Sequence, residues 1–417
     1  MNTSSRRTFL KSLGGATVLA SCPTILSAAT SGSRVIVIGG GFAGATAAKY
    51  LKHWSPDLNV TLIEPNAQYR SPILSNLVIN GQKSLNDISF KYNALASKYG
   101  VNVVTEWVQG IDATAKKVEL SSGTKLEYDR LIVAPGISFN PVDGLDFNKI
   151  PHAWQSGEQL LELKKQLDAM PAGGKFVMTI PPAPYRCPPG PYERAALVAD
   201  YLKTNKPGSK VIVLDANADI IVEKETFAHA FDVTYAGIVE YHKNVKLEAV
   251  DSEQRIAITD AGDFEANVLN VIPVHSAGKI ILDSGLANHP TGRWANVSPL
   301  SYESTAIPNI HVIGDSQGTG QPKAGHIANA EAKVCADAVI RLLAGGQPYA
   351  APMTNSACYS PLSTNTASWL TGVFGYDAAS DSMKLVAGSG GASKGVSSEN
   401  YKDMFTWANT LFADTFA

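Results

Sequence analysis

The chain has little net charge, few cysteines and, past its first stretch, no long apolar run, and each shortage removes a class of function. A formal net charge of −2 across 417 residues leaves no basic field for nucleic acid. Past the leader described next, no stretch approaches the ~18 consecutive apolar residues that span a bilayer, so no transmembrane segment is expected. Internal repeats are absent, and the single biased tract is the Gly/Ser-rich loop from Gly388 to Ser398. The histidines at 275, 311 and 326 lack metal-ligand spacing, so no metal site is expected. What remains is a chain that handles small molecules and protein partners. Without the leader it has about 390 residues, more than one typical core holds, which predicts two or three domains.

That leader begins Ser5-Arg6-Arg7-Thr8-Phe9-Leu10-Lys11, runs weakly apolar to Ala20 and reaches small residues at Ser27, Ala28 and Ala29. This is the pattern of a twin-arginine signal, which exports folded proteins and predicts a periplasmic chain cleaved after Ala29. Leu19-Ala20-Ser21-Cys22 also resembles a lipoprotein box, with Cys22 as the alternative lipid-bearing N-terminus.

Two glycine signatures lie about 270 residues apart. In the first, the apolar run Arg34 to Ile38 leads into Gly39-Gly40-Gly41-Phe42-Ala43-Gly44 and an alanine-rich segment. This is a buried strand, a tight turn and a helix start: Gly39 permits the turn, Gly41 admits a pyrophosphate to the backbone amides, and Gly44 allows close helix packing. The next strand, Val60 to Glu64, ends in an acid placed to bind ribose hydroxyls, followed by Pro65. The second signature is Ile310-His311-Val312-Ile313-Gly314-Asp315, a strand ending in the Gly-Asp that disulfide-reductase-like proteins use to hold the ribitol of FAD. Between them Leu131-Ile132-Val133-Ala134-Pro135-Gly136 supplies the short strand and glycine of the first exit from such a domain. One G-x-G-x-x-G alone is weak. Three elements in this order predict FAD, with Gly39, Gly41, Phe42, Ala43, Gly44, Glu64, Pro65, Ala134, Gly136, Gly314 and Asp315 around it.

A second α/β unit lies between the two signatures: a helix over 156–170, a strand over 175–180, a helix over 192–204 and a strand over 210–215. Where a pyridine-nucleotide reductase would carry another glycine cradle, this chain reads Pro181-Pro182-Ala183-Pro184-Tyr185-Arg186-Cys187-Pro188-Pro189-Gly190-Pro191. Prolines lack amide protons and fix the backbone, so NAD(P)H binding is not expected there. The stiff loop instead presents a thiol just before a helix with Pro191 at its start.

Of four cysteines, Cys22 falls in the leader and Cys335 in an alanine-rich helix, where a small buried role is expected. Cys187 and Cys358 remain. In an oxidising compartment they can pair if they are neighbours, and the arithmetic alone leaves a structural and a redox-active bridge equally open. The proline-rich setting and the flavin favour the redox role, since a flavoprotein without a nicotinamide needs another electron donor.

Tyr185 to Ala195, including Arg-Cys-Pro-Pro-Gly-Pro-Tyr-Glu-Arg, together with Ala357-Cys358-Tyr359-Ser360, Pro151-His152-Ala153-Trp154, Trp407 to Phe416 and the first glycine motif, closely resemble the flavoprotein subunit of flavocytochrome c sulfide dehydrogenase. The resemblance covers nearly the whole chain after the leader. It implies an α/β, disulfide-reductase-like flavoprotein with two Rossmann-type domains and a C-terminal α+β interface domain. The ranges are 30–150 with 275–345 for FAD, 151–274 for the second unit without a nucleotide, and 346–417 facing a c-type cytochrome subunit. It also implies a redox-active disulfide between Cys187 and Cys358 beside the flavin, attacked by hydrosulfide.

One departure is large. The family tethers its flavin through a cysteine in Tyr-x-Thr-Cys-x-Leu-Ser-Asn, and this chain reads Tyr69-Arg70-Ser71-Pro72-Ile73-Leu74-Ser75-Asn76. Pro72 has no nucleophile, so FAD is expected to be non-covalent and of lower potential. Glu193 is the candidate proton relay, with a helix-start acid as the alternative. The helix opening near Lys323 is expected to stabilise reduced flavin, with Lys323 either adding charge or solvated, and Trp407 covers the flavin, meets the cytochrome or simply packs. The rival functions are a sulfide:quinone oxidoreductase, an auxiliary persulfide- or thiol-handling flavoprotein, and a non-enzymatic FAD protein with an inert disulfide.

Overall fold

Why the first glycine motif folds as it does is visible in the computed structural model, which describes residues 32–417. The twin-arginine segment, Cys22 and the cleavage site after Ala29 lie outside the described residues. The apolar run Arg34–Ile38 is strand β1, and the chain turns through glycine into helix α1, Phe42–Trp54. Strands β2 (Asn59–Ile63), β3 (Asn102–Val104) and β4 (Arg130–Val133) follow.

The second unit begins with helix α2, Glu158–Ala169, then strand β5, Lys175–Ile180, and helix α3, Gly190–Asn205. Strands β6 (Lys210–Asp215), β7 (Val239–Lys243) and β8 (Val268–Asn270) complete it as a parallel sheet in the order β7-β6-β5-β8. The chain then returns to the first domain as β9, Ile310–Val312, and helix α4, Gly325–Leu343. The first sheet runs β9-β4-β1-β2-β3, all parallel. Its order reverses between β1 and β4, and ligands bind at the carboxyl ends of strands at such a switch point.

The C-terminal region is a long antiparallel hairpin, β10 (Met353–Pro361) and β11 (Ala367–Asp377), with strand β12 (Ser382–Leu385) and helix α5, Ser398–Phe416. Ser397 caps α5, its hydroxyl accepting from the Asn400 amide at 3.0 Å. The apolar face of α5 is buried against the first domain: Phe412 stacks on Phe42 and meets Phe90, with ring centroids 6.1 and 4.4 Å apart. At the far end of α5, Lys49 of α1 donates to the carbonyls of Ala413, Asp414 and Ala417, the favourable place for a cation on a helix. Asn329 of α4 donates to Thr46, Asp414 and Thr415. Helices α1, α4 and α5 are therefore tied to one another by side-chain contacts. No described helix is long and apolar enough to cross a membrane.

Candidate functional site

The carboxyl ends of β1, β2, β4 and β9 open onto one cavity of about 1260 Å³. Gly39 turns there with φ +96, and a Cβ on it would lie 2.3 Å from the Ala134 carbonyl oxygen. A Cβ on Gly44 would sit 1.8 Å from the Gly39 carbonyl oxygen, so Gly44 lies behind the cavity and sets how closely α1 meets β1. Gly41, Phe42 and Ala43 border the cavity at the start of α1. Glu64 faces it from the end of β2, one oxygen accepting from the Gly40 amide at 2.8 Å and the other from the Asn66 backbone and side chain. Pro65, Pro72, Ala134 and Gly136 form further wall, Gly136 with φ +75.

Gly314 and Asp315 close the far side. The amide of Gly314 donates to buried Glu331 at 2.8 Å, which fixes the turn. One oxygen of Asp315 is buried with no hydrogen-bond partner. Burial pushes this carboxyl up from its ordinary range, against the pull of Arg186 and Lys323. A polyol hydroxyl arriving in the cavity would satisfy that oxygen. The glycine turn, the β2 acid and this orphaned acceptor all fit FAD.

Lys323 corrects an expectation. Helix α4 starts at Gly325, and the Lys323 side chain, 5 % exposed, turns away from the cavity. Its Nζ donates to the carbonyls of Asp315 and Gln317 and lies 3.8 Å from the centroid of the Trp294 ring, and burial lowers its pKa to about 8. It is neither a solvated first-turn lysine nor a wall of the cavity. The helix start itself, Ala324 and Gly325, does border the space.

At the other end of the cavity are Cys187 and Cys358, both partly exposed and both free thiols. Cys187 stands in left-handed backbone conformation, φ 60. Its amide donates to the Lys323 carbonyl at 2.7 Å and its carbonyl accepts from Gly190 at 3.0 Å. A Cβ on Gly190 would meet the Cys187 sulfur at 2.8 Å, so glycine is required for the thiol to lie against the helix start. Two further amides of the loop are engaged: Ala183 donates to Asn217 and Arg186 to His275 Nδ1. Cys358 comes from β10, opposite Leu370. Cys335 is fully buried within α4, as expected for a packing residue.

Burial acts on both cavity thiols in the same direction. Burial pushes Cys187 well above the usual thiol range, with Glu193 and Cys358 adding to it and Arg186 opposing, and burial followed by Glu223 pushes Cys358 to about 12. Such sulfurs are poor thiolate nucleophiles.

Glu193, in the first turn of α3, is 8 % exposed and borders the cavity. Burial raises its pKa to about 8, while the Asn76 amide, donating at 2.8 Å, and Arg194 pull it down. A carboxyl that titrates there exchanges protons near neutral pH. Arg194, next along, is buried away from chemistry: it donates to Asn76, the carbonyls of His152 and Ala153, and Asn270, bracing the loop that carries Trp154. Trp154 borders the cavity and donates to the Arg186 carbonyl at 3.2 Å.

Sequence reading missed Asn76 and His326. His326 Nδ1 accepts from the Ala357 amide at 3.0 Å and the Trp407 indole at 3.3 Å, so one ring positions the strand residue before Cys358 and the tryptophan over the cavity. Trp407 does border the cavity and lies 5.5 Å from the Tyr359 ring. Nothing in the sequence around His326 separates it from any helix-start histidine.

Residues 33–174 match the pyridine nucleotide-disulphide oxidoreductase family. Residues 160–273 match the central region of the sulfide dehydrogenase (flavocytochrome c) flavoprotein chain, and residues 350–416 match the flavocytochrome c sulphide dehydrogenase flavin-binding region. A sulfide dehydrogenase (flavocytochrome c) flavoprotein chain from Chlorobaculum thiosulfatiphilum is 49% identical over 45 residues, 11% of this chain and 94% of that one. The chain belongs to the flavocytochrome c sulfide dehydrogenase flavoprotein family. The cofactor of this family member is FAD.

The two halves of the cysteine site fall in the two family-specific regions, Cys187 and Glu193 in the central one, Cys358 and Trp407 in the flavin-binding one. A sulfide-quinone reductase of Aquifex aeolicus is 36% identical over 104 residues, a match that spans 25% of this chain and 24% of that protein. The X-ray structure of the sulfide:quinone oxidoreductase from Aquifex aeolicus superposes with a TM-score of 0.75 at 19% identity, covering 92% of this chain and 91% of that one, a likeness of fold.

Proposed function

We propose that this flavoprotein oxidises sulfide through a disulfide between Cys187 and Cys358, passes the electrons to non-covalent FAD, and delivers them to a c-type cytochrome in the periplasm. The observation that carries the reading is the meeting of two thiols far apart in the sequence, Cys187 and Cys358, with a buried carboxyl near its working range, in the cavity that fits the flavin. Hydrosulfide attacks one sulfur of the disulfide, a sulfur–sulfur bond forms as the protein's own breaks, and a persulfide and a thiolate result. Burial makes that thiolate costly, and Glu193 supplies or removes the compensating proton. FAD bound in the cavity supplies the two-electron acceptor. Arg186, beside Cys187, gives the incoming anion a favourable field.

Family membership supports the cytochrome as partner, and the twin-arginine pattern supports the periplasm. A quinone acceptor asks for an apolar surface that enters the bilayer. The large apolar residues Leu411, Phe412 and Phe416 of α5 are instead buried in the protein. The test is anaerobic mixing with sulfide, which is expected to bleach the flavin, followed by an acceptor. Reoxidation by a c-type cytochrome and not by a soluble quinone is the expected result. Fast quinone turnover would favour the quinone enzyme, and reaction with persulfides but not with sulfide the auxiliary one.

Pro72 gives a separate prediction. It borders the cavity where the family's tethering cysteine would stand and offers no nucleophile. Acid precipitation is therefore expected to release all of the flavin into the supernatant. A yellow pellet would show that another residue forms the link.

A further inference from the structure

The most exposed large apolar side chain among the described residues stands at the flavin cavity. Trp107 is 67 % exposed and borders that space together with Glu106, Val108 and Gln109. Among the described residues no hydrogen bond engages its indole nitrogen and no other ring meets it. Single exposed apolar residues are ordinary on a protein surface, but this one lies at a cofactor cavity and on an anchored loop. Its carbonyl accepts from the Ser121 amide at 2.9 Å, and the Glu106 carboxylate accepts from the Ser122 amide at 3.2 Å, so the backbone that carries the ring is held in place.

The order of the sheet says what the ring meets. Across β9-β4-β1-β2-β3 the cavity is bordered by Asp315 past β9, by the glycine turn past β1 and by Glu64 past β2. These are the places expected for the ribitol, the pyrophosphate and the adenosine ribose of FAD, in the order in which those groups follow one another in the molecule. The next group along FAD is the adenine base, and the next strand along the sheet is β3. Its last residue, Val104, stands opposite Ile63 and accepts from the Glu64 amide at 3.0 Å. Trp107 follows directly on from that strand end, just before the strand Val108–Asp112. The short helix Lys279–Asp283 lies beside this strand and brings Ile280 to the same cavity. A planar aromatic ring and a branched aliphatic side chain are what a purine base packs against.

We propose that Trp107 binds the adenine of FAD, its indole packing against the base and contributing to the choice of FAD over FMN, which has no adenine. The inference rests on FAD as the cofactor and not on the sulfide-oxidising reading, so either can fail without the other.

The test has two arms. The first is hydroxyl-radical footprinting, with oxidised tryptophans located by peptide mass. Trp54, 37 % exposed and away from the cavity, is the internal reference. In the FAD-loaded protein Trp107 is expected to be oxidised more slowly than Trp54, although the fold alone leaves it the more exposed of the two. Faster oxidation than that of Trp54 overturns the proposal. In protein stripped of flavin, FAD and ADP at saturation are expected to protect Trp107 and FMN is not. Protection by FMN, or none by ADP, overturns it as well.

The second arm measures binding to the stripped protein. Trp107→Ala is expected to weaken FAD and ADP about tenfold or more and to leave FMN unchanged, while Trp107→Phe keeps most of the affinity. Unchanged FAD binding in Trp107→Ala overturns the proposal, and so do equal losses for FAD and FMN, which would show loosened packing instead.

Discussion

Gly44→Ala is expected to yield protein that retains little or no FAD. The added methyl would sit 1.8 Å from the Gly39 carbonyl oxygen, a backbone atom that cannot swing aside. Gly39 is fixed on both sides: its amide donates to the Ile63 carbonyl at 2.9 Å, and a Cβ on it would meet the Ala134 carbonyl oxygen at 2.3 Å. Relief requires α1 to lift away from β1. That helix start borders the flavin cavity, and α1 also packs on α4 and α5, so the displacement reaches the walls that these helices supply. Overpacking in a core typically costs about 1–3 kcal/mol, and collision with fixed backbone belongs at or above the upper end. The check is the ratio of flavin to protein absorbance after purification, with thermal unfolding alongside. Flavin content equal to that of the unsubstituted protein would mean that the helix start does not set the cofactor site.

The second large effect is at Glu193. Glu193→Gln keeps an oxygen to accept from Asn76 but cannot carry the proton, and it is expected to slow flavin reduction by sulfide about 100-fold with FAD content unchanged. The pH profile of that step is expected to lose its break near 8, where burial places this carboxyl. Stability gives an independent reading. The folded-state pKa is raised above the ordinary carboxylate value, so the folded chain binds more protons than the unfolded one between that value and about 8. Stability from this group therefore falls as pH rises through that window, and the glutamine variant should lose the fall. A variant with normal kinetics but altered pH stability would reduce Glu193 to a buried structural acid.

Which parts were legible in the sequence follows from where the information lies. Strands Lys175–Ile180 and Lys210–Asp215 have the predicted bounds because each is an apolar run stopped by proline or a polar turn. Gly39 and Gly44 were readable because only glycine tolerates the positive φ of the one and the contact of the other. Helix α4 begins two residues later than predicted because Lys323 turns inward to the carbonyls of Asp315 and Gln317 and the ring of Trp294, partners no local pattern reveals. Asn76 and His326 escaped notice for the same reason. Asn76 meets Glu193 across 117 positions, and polar residues in loops and short helices carry no periodic signal of such pairings. The meeting of Cys187 with Cys358 in one cavity was implied by family resemblance and not by spacing.

The measurement that bears most directly on the account is an anaerobic sulfide titration of the flavin absorbance, with Cys187→Ser and Cys358→Ser chains run in parallel. Rapid bleaching of the unsubstituted protein, lost in both variants while their flavin content stays the same, is the predicted result. Bleaching that survives either substitution, or no bleaching at all, would contradict electron entry through this pair of sulfurs.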